Sequence, residues 1–393
     1  MAIAVGAALT SPAPANAIQG CYGAYRHCYA YAQGYGAGNN SFNAWTNAVG
    51  TELFISCLHT PTWDDFINHE MWMLTRSNIS NPTYLTWLEA GYTAGTVVDS
   101  GGVNYSGFQY YWADSRDNWN WNYHEHMAGW ASVNTWVNFS FYWRGNGNWD
   151  VYLNGNWIGA SLGVGDWAGG AQSGMESTSS NVVGQGFARY MQYADPNWNW
   201  HWAYDWPQNN DPALFNTGSF FGIPYVNTKT PCPSSAAAAE NSASSARAKK
   251  PQLQTGGAPE RPASGRPVEQ PSPDALVPTG KAPNKADLLA IARQFAASNG
   301  VSDPKDVKVV ETTRQTAATA VSGATVNSDQ TAYVIEMSGS FTAHRAKVPA
   351  GQPTPTGDTL TLTIDANNGS ILDWGVTTGK ETPTQLGTFT TLS

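Results

Sequence analysis

Charge is scarce in this chain. Only 12% of its 393 residues are Asp, Glu, Lys or Arg, and acids outnumber bases 29 to 20, for a net charge of −9. A basic stripe that could track phosphates is missing, which argues against a nucleic-acid partner. Cysteine is also scarce, with four in all, at 21, 28, 57 and 232, and none in a C-x-x-C pair. That spacing speaks against a structural zinc or a redox centre. Gly-x-Ser-x-Gly, the P-loop, the dinucleotide fingerprint and His-Glu-x-x-His are absent too, so serine esterases, nucleotide enzymes and the common zinc peptidases gain no support. No run approaches the ~20 apolar residues of a membrane-spanning helix. The first two thirds contain no long amphipathic helix.

What is abundant is tryptophan. All but one of the eighteen precede Pro207, the exception being Trp374. Composition divides the chain into four parts. Ala2 to Leu9 form a short apolar core, and Ala15-Asn16-Ala17 matches an A-x-A cleavage site, so residues 1–17 read as a signal peptide, although a positive n-region is missing. A secreted, monomeric protein is expected. Residues 18–232 hold 15 acidic and 6 basic residues. Residues 233–285 are rich in Pro, Ala and Ser and read as an extended, disordered linker. Residues 286–393 have ordinary globular composition. In an exported chain the four cysteines suggest two disulfides; Cys21–Cys28 with Cys57–Cys232 is the preferred of three pairings.

From Phe66 onward short strand-like runs recur between Gly, Asn, Asp and Pro clusters. They cover 70–75, 85–95, 108–112, 123–127, 136–143, 149–153, 157–162, 174–177 and 187–193. Residues 18–50, rich in Gly, Tyr and Ala, read as an irregular arm pinned by Cys21 and Cys28. The expected fold is an all-β sandwich. Asn154-Gly155 between two alternating runs is a strong hairpin signal. The strand ending Tyr152-Leu153-Asn154-Gly155 resembles the hairpin of concanavalin-like jelly rolls over about residues 70–193. In the tail, Leu288, Leu289, Ile291, Ala292, Phe295 and Ala296 share one helical face. Strands follow at 307–311, 332–337, 360–364 and 371–376. This small α+β domain, ending strand–Asp365-x-x-x-Gly369–strand, resembles PepSY-type domains.

Two glutamates carry the chemistry proposed from sequence. Glu89 lies inside a strand-like run, Tyr84 to Tyr92, and Glu176 follows Ser173-Gly174-Met175. Two carboxyls held near each other can share a proton and divide acid and base work. Leu88-Glu89-Ala90-Gly91-Tyr92 resembles the strand that carries the catalytic Gln of eqolisin glutamic peptidases, Leu-Gln-Thr-Gly-Val; neprosin-type relatives use two glutamates. Tyr110-Tyr-Trp112-Ala-Asp114 resembles the aromatic strand that follows. The resemblance implies that Glu176 is the general base on water and that Glu89 polarises the carbonyl. It also implies an acid pH optimum, a polypeptide substrate, no cofactor, and Trp112 and Asp114 beside the groove. Ala113-Asp114 stands where a Glu-Trp pair is usual, and Glu176 lacks the usual Trp-rich surroundings.

His124-Glu125-His126 places both imidazoles on one strand face with Glu125 opposite. No third ligand is near in sequence, so substrate contact is the expectation for His124 and His126, and no metal. Trp119-Asn-Trp121 and Trp198-Asn-Trp200-His-Trp202 lie in loop-like sequence, where indole rings can stack on substrate. Trp87, Trp112, Trp136 and Trp143 are expected in the core. The loop tryptophans leave a second reading open, a carbohydrate-binding, lectin-like sandwich with a polysaccharide partner. A flat aromatic strip without convergent acids would mark it.

Overall fold

A computed structural model describes residues 27–35, 46–60, 65–76, 86–98, 104–116, 122–220, 223–230, 232, 256–261, 280–326, 328–350, 352–379 and 383–392. The strands run β1 Cys28–Tyr35, β2 Ala48–His59, β3 Phe66–Arg76, β4 Thr86–Val98, β5 Asn104–Arg116, β6 Asn122–Trp130, β7 Trp136–Gly145, β8 Asn148–Leu153 and β9 Asn156–Ser161. They continue with β10 Trp167–Ser177, β11 Val183–Ala194, β12 Trp200–Trp202, β13 Tyr204–Asn209, β14 Phe215–Phe220 and β15 Ile223–Thr228. The C-terminal part follows as α1 Lys285–Ser298, β16 Lys305–Thr313, α2 Arg314–Ser322, β17 Thr325–Val326, β18 Thr331–Thr342, β19 Thr356–Asp365, β20 Ile371–Thr377 and β21 Thr390–Thr391.

Two antiparallel sheets face each other as a β-sandwich. The first runs β13-β1-β10-β3-β4-β5-β6 and continues without a break into β20-β19-β18-β16-β21; the second runs β14-β15-β11-β2-β7-β8-β9-β17. The alternation of each strand explains the core. On β3, Ile67, Met71 and Met73 point inward with Leu88, Ala90 and Tyr92 of β4, and meet Val49, Ile55, Phe139, Phe141 and Val151 of the second sheet. The predicted hairpin is present: β8 and β9 pair across Asn154 and Gly155, both at positive φ, 50° and 77°. That is the tight turn in which both central residues are left-handed.

Within the expected irregular arm, residues 28–35 and 48–50 are strand, and residues 36–45 lie outside the described residues. β1 is an interior strand between β10 and β13, and β2 lies between β11 and β7. The sequence hid β1 because both of its faces are buried: Cys28, Ala30 and Ala32 point one way, Tyr29 and Tyr31 the other. Cys57 and Cys232 are bonded, with Cα atoms 6.1 Å apart, tying β2 to the end of the sandwich. Cys28 is disulfide-bonded as well; Cys21 and residues 1–17 lie outside the described residues.

The C-terminal part is α+β, with a second helix, α2, that the sequence reading missed. It is joined to the sandwich rather than hung beside it. β20 pairs with β6 through Asp373↔His126, Trp374↔Glu125, Gly375↔His124 and Val376↔Tyr123, and β17 pairs with β9. Part of the expected free linker also docks. Arg261 pairs with Asp150, Arg144 Nη2 donates to Pro259 O at 2.5 Å, and Trp200 Nε1 donates to Gly256 O at 3.1 Å.

Candidate functional site

Residues opposed across an antiparallel ladder point to the same face of a sheet. Following the register across the first sheet gives three adjacent rows on its outer face. One row holds Tyr29, Glu176, Asn68 and Thr93; the next holds Tyr31, Gly174, Glu70, Gly91 and Tyr111; the third holds Gln172, Trp72, Glu89, Ala113 and Glu125. Glu89 and Glu176 therefore share a face, and two acids not singled out from sequence, Glu70 and Glu125, join them. Rows are about 7 Å apart and strands about 4.8 Å, so Glu70 is the stepping stone between Glu176 and Glu89. It is flanked by Gly174 and Gly91, whose missing side chains leave it room. A Cβ on Gly91 would strike His69 O and the Glu70 backbone, and one on Gly174 would strike Ala30 O and the Tyr31 backbone.

All four carboxyls are buried; Glu70, Glu89 and Glu176 have no exposed surface and Glu125 has 1%. Glu176 meets the His27 ring nitrogen, bonds with the Tyr29 hydroxyl, and accepts the Val348 main-chain N–H on both oxygens at 3.1 Å. Glu70 accepts from Asn68 Nδ2, and Oε2 of both Glu70 and Glu89 has no hydrogen-bond partner. Burial first, and then Glu89 and Glu176, push the Glu70 carboxyl well above its ordinary value. Burial, followed by Glu176 and Glu125, does the same to Glu89. Buried carboxyls lacking a full set of donors keep their protons.

The Tyr123 hydroxyl links two of these carboxyls. It lies 3.2 Å from Glu89 Oε1 and 2.9 Å from Glu125 Oε2, and accepts Lys347 N–H at 3.2 Å. The single phenol O–H is directed at both carboxyls, which share it. Glu125 is held by the Lys347 ammonium at 2.5 and 2.6 Å. Glu89 accepts from the same hydroxyl. The site thus pairs a carboxyl whose proton affinity burial raises, Glu89, with a carboxyl engaged by a main-chain amide, Glu176.

Other predicted residues lie elsewhere. Trp112, Asp114, His124 and His126 occupy the opposite face of β5 and β6 from the glutamates, so they do not line that groove. Trp112 packs in the sandwich core with its ring tilted against that of His126, centroids 4.2 Å apart. His126 bonds Asp373, which also holds Arg314 of α2. Asp114 meets Arg116, His124 and Ser161. Burial opposes charge on Asp114, but Arg116 and His124 outweigh it and hold its pKa below the usual carboxylate range. These four residues form the seam between sandwich and C-terminal part. The period-2 reading put Glu125 opposite the two histidines, as the structure has it; it is Glu125, not the histidines, that shares a face with Glu89 and Glu176.

Trp119 and Trp121 lie outside the described residues. Trp198 stacks on Tyr142, and Trp200 is buried with Tyr152 and Trp157. Trp87, expected in the sandwich core, is instead buried on the outer face with Tyr123 and Trp72. Among the described residues no group of three His, Cys, Asp or Glu could hold a metal, and no helix is long and apolar enough to cross a membrane.

No protein-family model and no curated protein matches the chain. Among solved structures it is similar to scytalido-glutamic peptidase bound to a peptide-based transition-state analog, at 5% identity and TM-score 0.31, covering 51% of this chain and 98% of that one. A second structure of that peptidase with a transition-state analog inhibitor gives 6% identity and TM-score 0.32, covering 51% and 98%. SCP-B, an eqolisin-family peptidase in complex with the tripeptide Ala-Ile-His, gives 7% identity and TM-score 0.28, covering 51% and 97%.

Proposed function

We propose that the chain is an exported glutamic peptidase that hydrolyses polypeptides at acid pH on the outer face of its first sheet. The observation that carries this reading is the set of buried carboxyls on rigid neighbouring strands, where burial and mutual repulsion raise the proton affinity of Glu70 and Glu89. Strands fix side chains well enough for acid–base work, and carboxyls pushed apart in proton affinity can take opposite roles. Glu89 donates a hydrogen bond to the substrate carbonyl oxygen and stabilises the negative charge that develops there. Glu176 accepts a proton from water as its oxygen bonds to the carbonyl carbon. It then passes that proton to the leaving nitrogen as the C–N bond breaks, giving a carboxylic acid and an amine with both glutamates restored. Glu70 lies between them across the register.

The carbohydrate-binding reading needs an exposed aromatic strip. Among the described residues the exposed large hydrophobics are Val133 and Leu162, and no indole is among them. The test is hydrolysis of an unfolded protein at acid pH by the full chain carrying Lys347→Glu, which frees the glutamates from the Lys347 and Val348 contacts that cover them. Glu89→Gln and Glu176→Gln should each abolish it; retained cleavage in either would remove that residue from the mechanism.

A further inference from the structure

The segment that closes over the glutamates belongs to the chain itself. β18 and β19 already meet at Thr342↔Thr356, yet the chain between them leaves the hairpin and crosses to the sandwich. Loops this long without secondary structure usually have a use. Here Lys347 and Val348 lie at the acids. The amide nitrogen of the Lys347–Val348 bond donates to both Glu176 oxygens at 3.1 Å. The preceding nitrogen, that of Lys347, donates to the Tyr123 hydroxyl, which also bonds Glu89. Of the two nitrogens on either side of the Lys347 carbonyl, that of Val348 thus meets Glu176 directly and that of Lys347 reaches Glu89 through the Tyr123 hydroxyl. The Lys347 ammonium rests on Glu125, with the Phe66 and Tyr111 rings 5.1 and 5.2 Å away. An acid between two aromatic faces is a receptor for a cation. Tyr123, Glu125, Phe66 and Tyr111 all belong to the sandwich.

We propose that residues 343–350 occupy the glutamate face as a built-in substrate-like peptide, and that Glu125 is the specificity residue selecting a basic side chain immediately before the bond whose nitrogen meets Glu176. The C-terminal part then holds the chain inactive until this loop is displaced, and substrates are polypeptides cut after lysine or arginine. The word substrate rests on the peptidase reading; the occupancy and the preference for a cation do not.

The test uses the full chain carrying Lys347→Glu, which sets two carboxylates against each other, and Lys347→Met, which removes the charge and keeps the bulk should the first not fold. A labelled synthetic peptide of residues 343–350 is titrated into each, beside a twin with methionine in place of its lysine. At least tenfold tighter binding of the lysine peptide, lost on adding Glu125→Gln, is expected; equal or absent binding overturns the proposal. Cleavage of an unfolded protein, mapped by mass spectrometry, gives the second arm. Both variants should cut at least tenfold faster than the parent chain, after basic residues. Faster cleavage without that preference overturns the role of Glu125 and leaves the peptidase reading standing. Lysine-selective peptide binding with no cleavage by any variant supports the occupancy and overturns the peptidase reading.

Discussion

At the residue scale, the behaviour of Glu70 and Glu89 follows from where they sit. In the unfolded chain both ionise near the ordinary value of 4.5; folded, burial holds their protons to higher pH. Between those limits the folded state binds more protons, so their contribution to stability is full below the unfolded value and is lost as pH rises through the folded ones. The melting temperature should therefore fall from pH 5 to pH 8. Glu70→Gln with Glu89→Gln should flatten that fall and raise the melting temperature at pH 8, by about 2–4 °C for each kcal/mol relieved. Calorimetry across the range checks it, and an unchanged slope in the double variant would refute it. For activity, Glu176→Gln should lower turnover at least about 100-fold, the usual scale of acid–base assistance, with little change in KM. Steady-state kinetics on a released variant decides that.

At the scale of single elements, packing between neighbouring strands sets the outcome. Gly174 and Gly91 flank Glu70 across the register, and any side chain there meets backbone. Gly174→Val should cost about 3 kcal/mol, seen as a lower denaturation midpoint, because β1 and β3 cannot move apart without losing their ladders. The seam between β6, β20 and α2 relies on Asp373, which is buried and binds His126 and Arg314. Removing one member of such a set strands the other charge. Asp373→Ala should thus destabilise by about 3–5 kcal/mol, whereas replacing Asp373 and Arg314 together by apolar residues should cost much less. Equal losses in the single and double variants would show that the pair is not the source. β1 illustrates why elements were missed in sequence: with tyrosine on one face and alanine on the other, both buried, it has no polar alternation to announce a strand. β7 and β8, whose faces differ in polarity and whose turns are marked by glycine and asparagine, were legible.

For the whole molecule, the two parts share a sheet, a helix-capped sandwich end and the covered glutamate face. The Cys57–Cys232 bond closes 175 residues, and loop-closure entropy makes it worth about 5 kcal/mol. Cys57→Ser with Cys232→Ser should lower the melting temperature by roughly 10–20 °C. The Cys57–Cys232 bond was one of three pairings open in the sequence until the structure showed it; what the sequence determined by itself was the all-β class and the Asn154-Gly155 hairpin, together with an acidic, aromatic composition followed by an α+β tail. These rest on local periodicity, turn chemistry and composition, which each stretch of chain carries within itself. It also pointed to Glu89 and Glu176, because a carboxylate inside an apolar strand is conspicuous locally. Only the tertiary structure decided that Glu70 stands between them and that Glu125, not the histidines beside it, faces the same side. The same holds for Lys347, which reaches Glu125 from 222 residues away. Which face of a strand becomes a site depends on what the other strands and the tail lay against it, and no local pattern records that.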